Sequence, residues 1–191
     1  MKNLHIRLIS AGLALLSLPM AQAEYREQLQ YAGYDVKPRP GQGLFSAVQS
    51  ATPFQNEAGV FHGHTESKIK WSFQTQSTND GHCSISAALV EMDTVITLPV
   101  LHSANAAVQS EFEVYLEGLR KHEHGHLQLN QAVARQLEDN LLRLPGRASC
   151  QQLLDEADAL GNSLMATMAS VNVEFDRRTQ HGAAEGIGLS D

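Results

Sequence analysis

The chain has 191 residues and a formal net charge of −7, from 14 basic against 21 acidic side chains. That acidic balance argues against nucleic acid and anionic lipid as partners, because a negative field repels polyanions. The length is that of one ordinary domain with room for a proper core.

Residues 1–23 read as a cleavable signal peptide. Lys2 and Arg7 make a positive start, Leu8 to Leu18 a short apolar run, and Ala21-Gln22-Ala23 an A-x-A cleavage site. The run is too short for a membrane anchor and ends at Pro19. Cleavage after Ala23 removes two basic residues and no acidic one, leaving a more acidic mature chain. The expected location is the periplasm or the exterior, with no integral membrane span.

Residues 24–60 form an N-terminal arm with a first strand. Tyr31, Tyr34, Val36 and Leu44 supply its apolar positions, and Pro38, Pro40, Gly41 and Gly43 break it. This stretch is either a structural arm or a cover over a site. Residues 61–191 make the main domain, with 24–191 forming one unit. From about residue 60 the period is two: Ile69, Trp71 and Phe73 alternate with Lys68, Lys70, Ser72 and Gln74. Thr78-Asn79-Asp80-Gly81 marks a turn. A second strand region follows from Cys83 to Leu98, ended by Pro99. Its apolar face switches at Leu89–Val90, which predicts a bulge, a twist or burial on both sides. His62 and His64 share a strand face and read as a solvated edge.

A long helix is predicted from about Ala104 to Leu144-Pro145-Gly146. Val108, Phe112, Tyr115, Leu116 and Leu119 recur at spacings of three and four, and the stripe resumes at Leu129, Val133, Leu137 and Leu141. Inside it lies His122-Glu123-His124-Gly125-His126, the H-E-x-x-H pattern of zinc metalloproteases. On a helix, positions i and i+4 share a face, so His122 and His126 can offer their imidazoles to one Zn²⁺. Glu123 can then take a proton from a water in the open coordination position. His124 points to another side, and Gly125 leaves the backbone bare for a packed neighbour. A second helix begins after Cys150, with a stripe from Leu153 to Phe175, and the short connection makes the two helices antiparallel neighbours.

A catalytic zinc needs a third protein ligand, and the tail Asp176-Arg177-Arg178-Thr179-Gln180-His181-Gly182 supplies candidates. His181 is the first choice, with Asp176 as substitute ligand or orienting partner, and Glu174 behind both. The two cysteines, Cys83 and Cys150, suggest one disulfide in an oxidising compartment. Their wide separation and the lack of a C-x-x-C pair make zinc ligation by them a minor option.

These residues resemble the family of predicted secreted zinc-dependent proteases filed as domain-of-unknown-function family 922, over about residues 31–187. The likeness is carried by Trp71, Cys83, Ile96-Thr97-Leu98-Pro99, the motif at 122–126, Cys150 and the run from Phe175 to Gly182. The family has tyrosine where Phe175 stands and tryptophan where this chain has Val100-Leu101. The resemblance implies functional roles for Asp176 and His181. The expected fold is α+β and zincin-like, a small mostly antiparallel sheet packed on two long antiparallel helices. The expected function is a cell-envelope metallopeptidase with one Zn²⁺, Glu123 as general base, and a peptide or protein substrate. The competing expectation is a non-catalytic zinc-binding envelope protein, which a closed site with both Asp176 and His181 as ligands would favour.

Overall fold

The computed structural model describes residues 22–56, 59–77, 79 and 81–189. The expected signal peptide therefore lies outside the described residues, except for Gln22 and Ala23. The chain runs as β1 (Gln22–Val36), α1 (Leu44–Ala51), the short strands β2 (Phe54–Asn56) and β3 (Gly59–Phe61), β4 (His64–Ser77) and β5 (Cys83–Leu101). Two long helices follow, α2 (Ala106–Arg143) and α3 (Cys150–Thr179), then a 3₁₀ turn at Ala183–Glu185. The fold is α+β, and among the described residues no helix is long and apolar enough to cross a membrane.

The main sheet has three strands in the order β1-β5-β4. β4 pairs antiparallel with β5, but β1 pairs parallel with it, from Gln22 opposite Ala87 to Val36 opposite Leu101. The sheet is thus mixed, where a mostly antiparallel one was expected. The cause is the path after β1. The chain turns through α1 and the β2–β3 hairpin, then comes back as β4 one place further across. β5 reverses again into the gap and so runs along β1.

The bulge expected at Leu89–Val90 falls three residues earlier. Gln74 pairs with Ala87 and Thr75 with Ile85, so Ser86 is skipped. The buried face accordingly passes from Cys83 and Ile85 to Ala88, Val90, Met92, Thr94, Ile96 and Leu98. On β4, Ile69, Trp71 and Phe73 are half-buried while Lys68 and Lys70 are exposed, as the alternation requires.

Both long helices begin at side-chain caps. Asn105 Oδ1 accepts from the Ala107 and Val108 amides, and Ser149 Oγ accepts from the Gln152 amide. The turn between them carries Pro145 and Gly146, where the sequence predicts a stop. Leu137 and Leu141 of α2 and Leu153 and Ala157 of α3 are wholly buried in one core with Val90, Met92 and Ile96 of β5. The Trp71 indole occupies the space beside Gly161, where any Cβ would meet it, and so seats α3 on β4. The Cys83–Cys150 disulfide ties the start of β5 to the start of α3, and paired backbone hydrogen bonds between Cys83 and Arg147 reinforce the joint.

Candidate functional site

On α2, His122, His126 and Asn130 lie at four-residue intervals and are all buried. On α3, Asn172 and Asp176 are likewise one turn apart. The helices run antiparallel, and the two polar rows meet. Asp176 Oδ1 lies 3.1 Å from His122 Nε2 and 2.9 Å from His126 Nε2. Together these three residues could hold a metal ion, their ligand atoms lying within 4.8 Å of one another. Gly125 explains the close approach. Phe175 fills the space a side chain at 125 would occupy, and its ring packs on both imidazoles, 5.0 Å from His122 and 4.9 Å from His126.

Hydrogen bonding at the far side of each ring fixes what faces Asp176. Asn172 Nδ2 donates to the Met168 carbonyl at 2.7 Å and to Asn130 Oδ1 at 2.6 Å. A carbonyl can only accept, so the amide orientation is settled and Asn172 Oδ1 is the atom 2.6 Å from His126 Nδ1. That nitrogen must carry a proton. Asn130 in turn donates to Ser67, whose hydroxyl pairs with Thr94, anchoring the row in the sheet. For His122 the acceptor is Glu185 Oε2, 2.9 Å from Nδ1. With both Nδ1 atoms protonated, two Nε2 lone pairs and a carboxylate oxygen converge on one place. Three acceptors repel unless something positive sits among them, either a second proton on each ring or a metal cation. Without a metal, protons supply that charge. Burial alone would lower both imidazole pKa values, but the bonds to Asp176, with Glu185 on His122 and Asn172 on His126, outweigh it and hold both above their ordinary value. Burial would likewise raise Asp176, yet the two histidines hold it well below the usual carboxylate range.

Glu123 is 4% exposed. Its Oε2 accepts from Thr65 Oγ1 at 2.7 Å, and its Oε1 would lie only 2.5 Å from a Cβ built on Gly63. The start of β4 is thus folded directly over the carboxyl group, and a side chain at Gly63 would displace that carboxyl group. Burial pushes the Glu123 carboxyl up from its ordinary value, against the Thr65 hydrogen bond and the pull of nearby histidines. A proton acceptor of raised pKa is suited to general-base work near neutral pH.

The structure brings Asp176 rather than His181 to the His122–His126 pair. His181 lies outside that cluster, with Nδ1 3.5 Å from Asp176 Oδ1 and its ring 4.9 Å from Phe61. The chain reverses there through three successive left-handed residues, Gln180, His181 and Gly182. Gly182 fits tightly, since a Cβ on it would press on Ile187 and approach the His122 ring. Glu174 pairs with Arg177 on the exposed side of α3, away from the cluster. His124 points to β1 and meets the Tyr31 hydroxyl at 2.7 Å. His62 and His64, read as a solvated edge, instead line the cleft: His62 Nδ1 lies 2.7 Å from the Tyr115 hydroxyl, and His64 packs on Phe54.

Sequence reasoning missed Asn130, Asn172, Thr65 and Glu185. The two asparagines had a readable signal, each one helical turn from a named residue, Asn130 after His126 and Asn172 before Asp176. Glu185 had none, because its place depends on the reversal at 180–182.

A cleft of about 670 Å³ opens over the cluster, between α2, α3 and β4 on one side and α1 with β3 on the other. Fold and site together define an α+β protein with a His-His-Asp cluster and a buried glutamate on a helix beneath a cleft. A family described as "Bacterial protein of unknown function (DUF922)" matches residues 31–182, and the chain belongs to it. No curated protein and no solved structure matches the chain.

Proposed function

We propose that the protein is a zinc-dependent metallopeptidase of the cell envelope with a zincin-like helix. The observation that carries this reading is the convergence of His122 Nε2, His126 Nε2 and Asp176 Oδ1, one residue along α2 from the buried Glu123. Two imidazoles and a carboxylate are a donor set suited to catalytic zinc, which keeps a fourth position open. His122, His126 and Asp176 would hold the ion. Glu185 and Asn172 orient the two rings by accepting from Nδ1. When bound, zinc supplies Lewis-acid polarisation of a carbonyl and makes water acidic enough to react near neutral pH. Glu123 accepts the proton of the attacking water and returns it to the leaving amine. The predicted leader and the Cys83–Cys150 disulfide support an oxidising compartment outside the cytosol.

The test is Glu123→Gln. The variant is expected to retain about one zinc per chain while losing hydrolysis of unfolded protein by roughly 10²–10⁴-fold. A zinc-loaded variant as active as wild type would remove Glu123 from the role. The second reading is a non-catalytic zinc protein, favoured by His181 standing 3.5 Å from Asp176, near enough to close the set as a fourth ligand. A wild-type protein with tightly held zinc, no hydrolysis, and zinc affinity lost in His181→Ala would establish that reading instead.

A further inference from the structure

The cleft is unevenly furnished. Its carboxylates are Glu66, Glu123 and Asp176, and Glu185 stands behind His122. Among the described residues lining it there is no lysine or arginine. The two positive charges of a divalent ion would be matched by Asp176 and Glu123 alone, while Glu66 pairs with Lys68 at 3.1 Å and Glu185 with His122 Nδ1, in a chain of net charge −7. A peptide with a free carboxyl end, or with acidic side chains beside the scissile bond, needs a cation to receive it, usually a forked arginine. None is in place.

The opposite wall is apolar. Phe61 packs against His181 and Phe45 against His62, at ring distances of 4.9 and 5.5 Å. Val60 and Phe45 nonetheless remain 40% and 37% exposed. This wall is one ring away from Asp176, through His181. Apolar surface left open beside a few convergent polar groups is the usual form of a site that seats a large apolar side chain.

We propose that the cleft takes an internal, neutral or basic stretch of extended polypeptide, seating a bulky apolar side chain against Phe45, Val60 and Phe61, and that it refuses acidic segments and free carboxyl ends. This rests on the peptidase reading above. The preference follows from the residues present, since an anionic stretch would meet the carboxylates of the cleft and find no lysine or arginine among the described residues lining it.

The test uses Glu123→Gln protein with zinc content measured in the same sample, and fluorescently labelled ten-residue peptides followed by anisotropy. One peptide has a central Leu-Phe and blocked ends, a second ends in a free carboxylate directly after Leu-Phe, and a third has aspartates flanking Leu-Phe. The blocked peptide is expected to bind about tenfold more tightly than the acidic one, with the gap narrowing at high salt. The free carboxylate is expected to give no gain. Phe61→Ala should weaken the Leu-Phe peptide but not its Ala-Ala counterpart. Val60→Arg, at an exposed position, should improve binding of the acidic peptide without lowering the melting temperature. Preference for the acidic peptide, dependence on the free carboxylate, or no peptide binding at all would overturn the proposal. Zinc-free protein would instead count against the metal reading, and the same peptides would still decide the selectivity of the wall.

Discussion

The two long helices meet in two different chemistries. Near the interhelix turn, Leu137, Leu141, Leu153 and Ala157 are wholly buried, and Cys150 is bonded to Cys83. Towards the other end, His122, His126 and Asn130 face Asn172 and Asp176 through hydrogen bonds. Burying a large aliphatic side chain contributes about 1.5–3 kcal/mol, so the first end contributes to stability through packing alone. The second end buries polar groups, whose hydrogen bonds largely replace those they made to water. Among the described residues no buried side-chain nitrogen or oxygen lacks a partner. The difference assigns two tasks to one helix pair. The apolar end fixes the register, and the polar end presents a His-His-Asp cluster held in place by hydrogen bonds.

The sharpest way to break this division is to empty one end and examine the other. Asp176→Ala removes the acceptor shared by both imidazoles, and zinc per chain is expected to fall from about one to near zero by elemental analysis. His181→Ala should leave the metal in place, and the opposite pattern would exchange the two roles. Replacing Cys83 and Cys150 together by serine should cost about 4 kcal/mol in denaturant unfolding, on the chain-entropy account. The folded fraction should bind zinc as before. If zinc affinity drops with the disulfide, the two ends are not separable.

Glu185→Ala probes the polar end more gently. Loss of the carboxylate on His122 Nδ1 is expected to weaken zinc by about 10–100-fold in competition with a chelator, or about 1.4–2.7 kcal/mol. Glu185→Gln should recover part of this, because an amide oxygen still accepts. No change in either variant would mean that Glu185 does not orient the ring.

The apolar end was also the more legible in the sequence. The stripes through Leu137, Leu141, Leu153 and Ala157, the stop at Pro145-Gly146 and the Cys83–Cys150 pairing all follow local periodicity or simple counting. Half of the polar end was legible for the same reason, since His122 and His126 are a turn apart on one helix. What could not be read was set by distant chain. β1 lies parallel to β5 only because β4 leaves a place for β5 to fill. The bulge lies at Ser86 because the cross-strand pairing shifts there, which no alternation within β5 reveals. Asp176 outranks His181 at the cluster because Asp176 is still helical, on the row that meets α2. His181 lies past the C-cap, where the left-handed turn carries it outward.

The smallest expected effect concerns Thr65, to which no motif or periodicity points. Its hydroxyl donates to Glu123 Oε2 within the fold of β4 over α2. Thr65→Val removes the donor while keeping the shape, and should cost about 1 kcal/mol. The pH dependence distinguishes a bond to this carboxylate from a general packing loss. Burial raises the Glu123 pKa, so the folded protein holds that proton more tightly than the unfolded chain does. Glu123 therefore lowers stability as pH rises from the ordinary value of 4.5 through its raised folded value. The Thr65 bond favours the ionised form and limits that loss. In metal-free protein, the deficit of Thr65→Val relative to wild type should be level until the pH reaches the raised folded value of Glu123, then widen until Glu123 is ionised in both. A deficit that is constant across this range in denaturant unfolding would mean that Thr65 supports the packing of β4 and leaves the carboxylate untouched.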